Sequence, residues 1–290
     1  YCADTVEALQ DLIIDKIEDK YKEKIDMSEE EETFHDVTAK GIRVLVSGLV
    51  QRTDQAFKGI YNITWSAIDV VGEESPYVRS MHSAIQPFVI KVKSVLPNVY
   101  FRNFCDQFAM VFTNTFYDAI VRLKRISESG TQQLLLDVYN LKTLLLKIPV
   151  LEAKKNADIS SPSKVGSSST IAPAMYTKTV TKQFQRIEIL LKLVGTPSDL
   201  LIDVFRVQWP DGSAYDLSTV MNLKGMKRNE QATMLEKIGI DPITAMKGAE
   251  AASRGVSMTD NIQSLMKGAE AASRNMSMPD NIQSFQDKSS

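Results

Sequence analysis

The sequence predicts an all-α protein: consecutive helical bundles forming an elongated rod, with a flexible C-terminal tail. Three observations carry that expectation. Apolar residues recur at three- and four-residue steps along most of the 290 residues, the spacing of one helix face. No segment shows the apolar–polar alternation of a half-buried strand. Gly, Pro and Ser cluster between the periodic segments, where helices stop and restart.

The elements follow in chain order. Val6, Leu9, Ile13, Ile17, Tyr21 and Ile25 fall on one face of a first helix. Ser28 and the acidic run 29–32 mark the next start, because carboxylates favour the positive end of a helix dipole. Phe34, Val37, Gly41, Val44, Leu45, Gly48 and Leu49 continue at helical spacing, and the two glycines permit close approach of a neighbour. Pro76, Pro87 and Pro97 each open or kink a helix.

The strongest stripe is Phe101, Phe104, Phe108, Phe112, Phe116, Ile120 and Leu123, with Cys105 beside it. An aromatic row can line a cofactor, but at this spacing bundle core is the plainer reading. Ser127 to Gly130 marks a turn. Leu134, Leu135, Val138, Leu141, Leu145 and Ile148 then share a face until Pro149 stops the helix. The stretch 157–174 is rich in Ser, Pro and Gly and has little to bury, so it reads as a loop or linker. Periodicity resumes with Tyr176, Val180, Phe184, Ile187, Leu190, Leu191 and Val194, and Gly195-Thr196-Pro197 ends that helix. Pro210-Asp211-Gly212 is a turn, and two short helices follow around Gly225.

The chain therefore divides into an N-terminal helical bundle at 1–151, a Ser-rich linker at 152–175, a C-terminal bundle at 176–240 and a tail at 241–290. The tail contains a duplication. "MKGAEAASRGVSMTDNIQSL" begins at Met246 and "MKGAEAASRNMSMPDNIQSF" at Met266. Two such copies cannot bury a solenoid core, so the tail is expected to be disordered.

Composition and motifs restrict the function. The net charge is −2, so no global basic field points to nucleic acid. No apolar run is long enough to span a bilayer. The sequence starts at Tyr1 without a signal peptide and reads as a soluble piece of a longer protein. Cys2 and Cys105 lie far apart and outside any CxxC, which fits a reducing compartment. His35 and His82 have no metal-ligand spacing around them. There is no P-loop, no GxGxxG, no HExxH and no GxSxG elbow. Neither a catalytic site nor a cofactor is expected.

Two stretches carry a resemblance. "QQLLLDVYNLKTLLLKIP" at 132–149 and "YTKTVTKQFQRIEILLKLVGTP" at 176–197 resemble the C-terminal region of the vacuolar-protein-sorting subunit numbered fifty-three. That subunit belongs to the Golgi-associated retrograde protein (GARP) tethering complex. "MNLKGMKRNEQATMLEKIG" at 221–239 is similar to the family's terminal motif. The Ser-rich segment and the repeated tail depart from the pattern. The resemblance implies a CATCHR-type helical rod, peripheral on the cytosolic face of the trans-Golgi network and endosomes. It implies vesicle tethering in retrograde transport, with the other GARP subunits, SNAREs and small GTPases as partners.

The candidate partner-binding residues are Lys224, Lys227, Arg228, Asn229 and Glu230. Cations gathered on a turn make a better interface than a solvated helix flank, because loops carry function. All three cations are expected to point outward. Gly225 is expected to supply a tight backbone, Asn229 to cap the following helix, and Met234, Leu235 and Ile238 to dock it. The competing readings are a lipid-headgroup site on a peripheral membrane module and a subunit of another helical-rod tether, of exocyst or conserved oligomeric Golgi type.

Overall fold

A computed structural model describes residues 2–151, 172–243 and 245. Most of the expected linker, and the duplicated repeats from Met246 onward, lie outside the described residues. Among the described residues the protein is all-α, without a strand. The helices are α1 (Cys2–Lys16), α2 (Asp19–Lys22), α3 (Ser28–Tyr61), α4 (Pro76–Val95), α5 (Asn98–Val121), α6 (Glu128–Lys147), α7 (Ala174–Gly195), α8 (Leu201–Gln208), α9 (Ala214–Lys224) and α10 (Arg228–Lys237). Single 3₁₀ turns stand at Trp65–Ala67 and Ile148–Val150.

The first helix is shorter than its apolar spacing predicts. α1 stops at Lys16, and Glu18 is extended before the single turn of α2. The chain must reverse here to lay α1 along α3, and Gln10 then accepts a hydrogen bond from the Met27 backbone N–H at 3.1 Å. The predicted stripe is correspondingly incomplete: Leu9 and Tyr21 are exposed. α3 starts at Ser28, as its acidic first turn suggests. Pro76 stands at the first turn of α4 and Pro97 immediately precedes α5, while Pro87 is carried inside α4.

The aromatic row is core. Phe101, Phe104, Phe108, Phe112 and Phe116 are buried along α5, with successive ring centroids 5.7 to 6.3 Å apart. Phe57 of α3 meets Phe112 at 5.4 Å, and Phe88 of α4 meets Phe104 at 6.5 Å. Cys105 is buried beside them, and that burial pushes its thiol up to about 12. A thiol so far from ionising is a packing group.

The connection between α3 and α4 is tied to α6 by polar groups. Gln133 accepts from the Gly72 N–H at 2.9 Å and donates to the Glu73 carbonyl at 2.7 Å. The buried Asp137 carboxylate accepts from the Ser75 N–H at 2.9 Å. Ser127 caps α6 through Gly130 N–H and also donates to the Trp65 carbonyl at 3.0 Å.

The most extensive helix pairing is α6 with α7, across the expected linker. Tyr176 donates to the Leu145 carbonyl at 2.7 Å, and Lys142 pairs with Glu188 at 2.9 Å. α7 also packs on α5 and α9. One network of buried side chains therefore runs from Ile42 of α3 to Leu235 of α10 and on to Ala245.

Candidate functional site

The candidate residues gather at the turn between α9 and α10. α9 is anchored from below. Ser213 opens it with a reciprocal cap, in which Asp216 accepts from the Ser213 N–H at 2.9 Å and Ser213 Oγ from the Asp216 N–H at 3.2 Å. Leu217, Val220, Met221 and Leu223 are fully buried. α9 ends where Gly225 adopts φ 73 and ψ 28, the left-handed conformation that glycine adopts without steric cost. The Gly225 N–H donates to the Asn222 carbonyl and the Met226 N–H to the Met221 carbonyl, closing a Schellman motif. The tight backbone expected at Gly225 is present.

The segment between α5 and α6 packs against the same turn. The Ile126 N–H donates to the Leu223 carbonyl at 2.8 Å. A β-carbon added at Gly225 would lie 2.8 Å from Arg125 Cδ, so the Arg125 stem rests on the glycine.

Lys224 does not point outward. Its Nζ donates to the Val194 carbonyl at 2.8 Å and to the Thr196 carbonyl, so it caps the C-terminus of α7. Orphan carbonyls at a helix end, carrying the negative end of the dipole, are a natural seat for an ammonium group. Burial lowers the Lys224 pKa, and the charge of Glu128 opposes that shift. Nothing in the local spacing reveals this role, because the partner helix lies some thirty residues upstream.

Asn229 is not the cap of α10. Lys227 occupies that position with extended backbone, and Glu230 accepts its N–H at 3.2 Å. The spacing of Lys227 to Glu230, cap to third helical residue, was the available signal. Asn229 stands inside the first turn, where its carbonyl accepts from the Thr233 hydroxyl at 2.9 Å. Lys227, Arg228, Asn229 and Glu230 are all exposed, as a row on the first turn of α10.

Gln231, which sequence reasoning passed over, is the bolt beneath that row. It is buried, and its Nε2 donates to Asn222 Oδ1 at 3.0 Å and to the Met226 carbonyl at 2.9 Å. Leu235 is fully buried, and Met234 and Ile238 pack against the core as expected. Beside the row lies an open groove of about 500 Å³ lined by Ser198, Asp199, Ile202, Asn229, Glu230 and Met234, among others. Most of its lining residues are polar, with Ile202 and Met234 the apolar ones. Among the described residues no cluster of His, Cys, Asp and Glu could hold a metal ion. Nor is any described helix long and apolar enough to cross a membrane.

Comparison with known proteins bears on the family of the chain. Residues 132–226 match the family described as vacuolar protein sorting-associated protein 53 C-terminus. The protein is 31% identical over 236 residues to vacuolar protein sorting-associated protein 53 A of Arabidopsis thaliana, covering 81% of this chain and 27% of that relative. It is 31% identical over 256 residues to the vacuolar protein sorting-associated protein 53 homolog of Caenorhabditis elegans, covering 84% of this chain and 30% of that relative. The chain thus spans less than a third of the length of these relatives. No solved structure matches it significantly. The terminal motif of the sequence, the all-α fold and these relatives converge: the chain belongs to the vacuolar protein sorting-associated protein 53 family and carries its C-terminal region.

Proposed function

We propose that the chain is a non-catalytic part of a multisubunit vesicle-tethering complex of the GARP type. It serves retrograde transport from endosomes to the trans-Golgi network, peripherally on the cytosolic face of those membranes. The other subunits of the complex assemble with the protein of which it is a part. Its tip offers a surface to a protein partner of the vesicle side, of SNARE or small-GTPase class. Family membership supports the sorting role, and the CATCHR-type rod is consistent with the all-α fold.

One observation carries the choice of surface. Lys227, Arg228, Asn229 and Glu230 are exposed on a turn whose backbone is fixed by Gly225, Gln231 and the Lys224 clamp. Recognition gains from such pre-organisation, because little conformational entropy is lost on binding. A lipid-headgroup role is the weaker reading. With Lys224 turned inward, Lys227 and Arg228 add only about 2 kcal/mol at an anionic membrane, at roughly one per cation.

The test is the double charge reversal Lys227→Glu with Arg228→Glu. Both side chains are exposed, so the melting temperature should stay close to that of the parent. A pull-down should lose a tip partner while the other complex subunits remain bound, and cargo retrieval should fall. Normal retrieval by the folded double variant would sink the proposal. Flotation of the purified chain with phosphoinositide vesicles, abolished by the same reversal, would move the assignment to lipid.

A further inference from the structure

α3 carries two apolar stripes, and the described fold uses one of them. Ile42, Val46, Leu49, Thr53, Ala56 and Ile60 step by three and four residues and are buried in the core. Phe34, Val37, Gly41 and Val44 step by three, four and three along a second face, turned roughly 120° from the first at 3.6 residues per turn. That second face is bare. Phe34 is 37%, Val37 60% and Val44 70% exposed. A β-carbon added at Gly41 would meet nothing within 4 Å, so no described element covers the middle of the stripe. α1 packs on α3 but leaves this row uncovered.

We propose that the stripe is the seat of a helix from the same polypeptide, supplied by the part that precedes residue 1 in its longer natural form. Three observations select this occupant. The first is spacing: three-four-three steps form a seam one helix wide, with Gly41 at the point of closest approach. The second is length. The matched family region is C-terminal, and the chain covers only 27% and 30% of two relatives, so most of their length lies upstream. The third is position. Gln10 is bonded to Met27 at the start of α3, so α1 folds back along that helix. Cys2 lies eight residues before Gln10, roughly 12 Å further along at 1.5 Å per residue. An upstream chain therefore emerges level with Phe34 and His35, at the N-terminal end of the stripe. A helix tethered there binds at high effective concentration, which suits a seam this short.

The experiment measures thiol labelling at residue 37. Val37→Cys is placed on a Cys2→Ser background, in residues 1–290 and in the full-length natural polypeptide. Maleimide uptake is read from the mass of the peptide holding residue 37; Cys105 is buried and stays silent. Labelling in the full-length form should be about tenfold slower or more, equivalent to a local opening cost of 1.4 kcal/mol. Adding Gly41→Arg should restore fast labelling in the full-length form without lowering the melting temperature of 1–290, because the space at Gly41 is open. Equal rates in both forms would overturn the proposal. So would protection that grows with protein concentration, which assigns the seat to a second copy. Protection that requires added complex subunits would overturn it too, assigning the seat to another protein.

Discussion

A methyl group added at Gly130 would sit 2.2 Å from the Trp65 carbonyl oxygen, a backbone atom that cannot swing away. Gly130→Ala must therefore push α6 off the Trp65 turn. We predict a loss of about 2–3 kcal/mol, the scale of an overpacked core, read from the urea midpoint. Gly41→Ala is the control. It meets open space within a helix and should be neutral or stabilising by about 0.5–1 kcal/mol. Asp137 gives a pH-dependent prediction. Burial raises its pKa above the ordinary value of an aspartate carboxyl, and its hydrogen bonds from Ser75 oppose the rise. The folded protein thus holds this proton to higher pH than the unfolded chain does. The stabilisation from that proton is complete below about 3.8 and is lost as pH rises through the folded value. Asp137→Asn keeps an acceptor for the Ser75 N–H and does not titrate. Its stability relative to wild type should therefore rise with pH across that window and level off above it. Denaturation curves between acid and neutral pH check this, and a falling difference would contradict it.

At the scale of elements, the joint between α7 and α9 rests on one side chain. Lys224 donates to Val194 and Thr196 at the end of α7, so a charge reversal there differs in kind from one at Lys227. Lys224→Glu places a carboxylate against carbonyl oxygens. It should cost about 2–3 kcal/mol, as a half-buried group left without its partners, whereas Lys227→Glu should cost under about 0.5 kcal/mol. Paired thermal melts separate the two. A binding defect in Lys224→Glu alone would then report a loosened tip. This distinction explains what was legible in the sequence. Helix faces were readable wherever both sides of the pattern depend on local spacing: the Phe101 to Phe116 row, the Tyr176 to Val194 row, and the Gly225 turn. Readings failed where a distant segment decides the outcome. The reversal after Lys16 answers to α3, the orientation of Lys224 answers to α7, and the Arg125 stem on Gly225 comes from the α5–α6 connection. α3 shows the intermediate case. Its periodicity was visible, but spacing alone could not say that Ile42 to Ile60 would be buried and Phe34 to Val44 left bare.

For the molecule as a whole, the question is whether helices on the two sides of 152–171 behave as two units. Leu134, Leu141 and Leu145 of α6 and Leu190, Leu191 and Leu193 of α7 are all fully buried, and α6–α7 is the most extensive pairing described. Each of these side chains contributes roughly 1.5–3 kcal/mol by leaving water. Parting α6 from α7 would return much of that surface to solvent, alongside the Tyr176 hydroxyl and the Lys142–Glu188 pair. We therefore predict that cutting the chain at a protease site inserted between Leu151 and Ala172 leaves the halves associated. They should co-elute in gel filtration and melt in one transition, at a temperature that now depends on concentration, because the cut makes folding bimolecular. Two separate transitions, or halves that part on the column, would instead support two independent bundles. The result bears on the tip. The α7 carbonyls that Lys224 grips and the α5–α6 connection that supports Gly225 come from opposite sides of the cut. The partner surface we propose, with supports shared in this way, should therefore behave the same before and after cleavage in the pull-down for as long as the halves stay together.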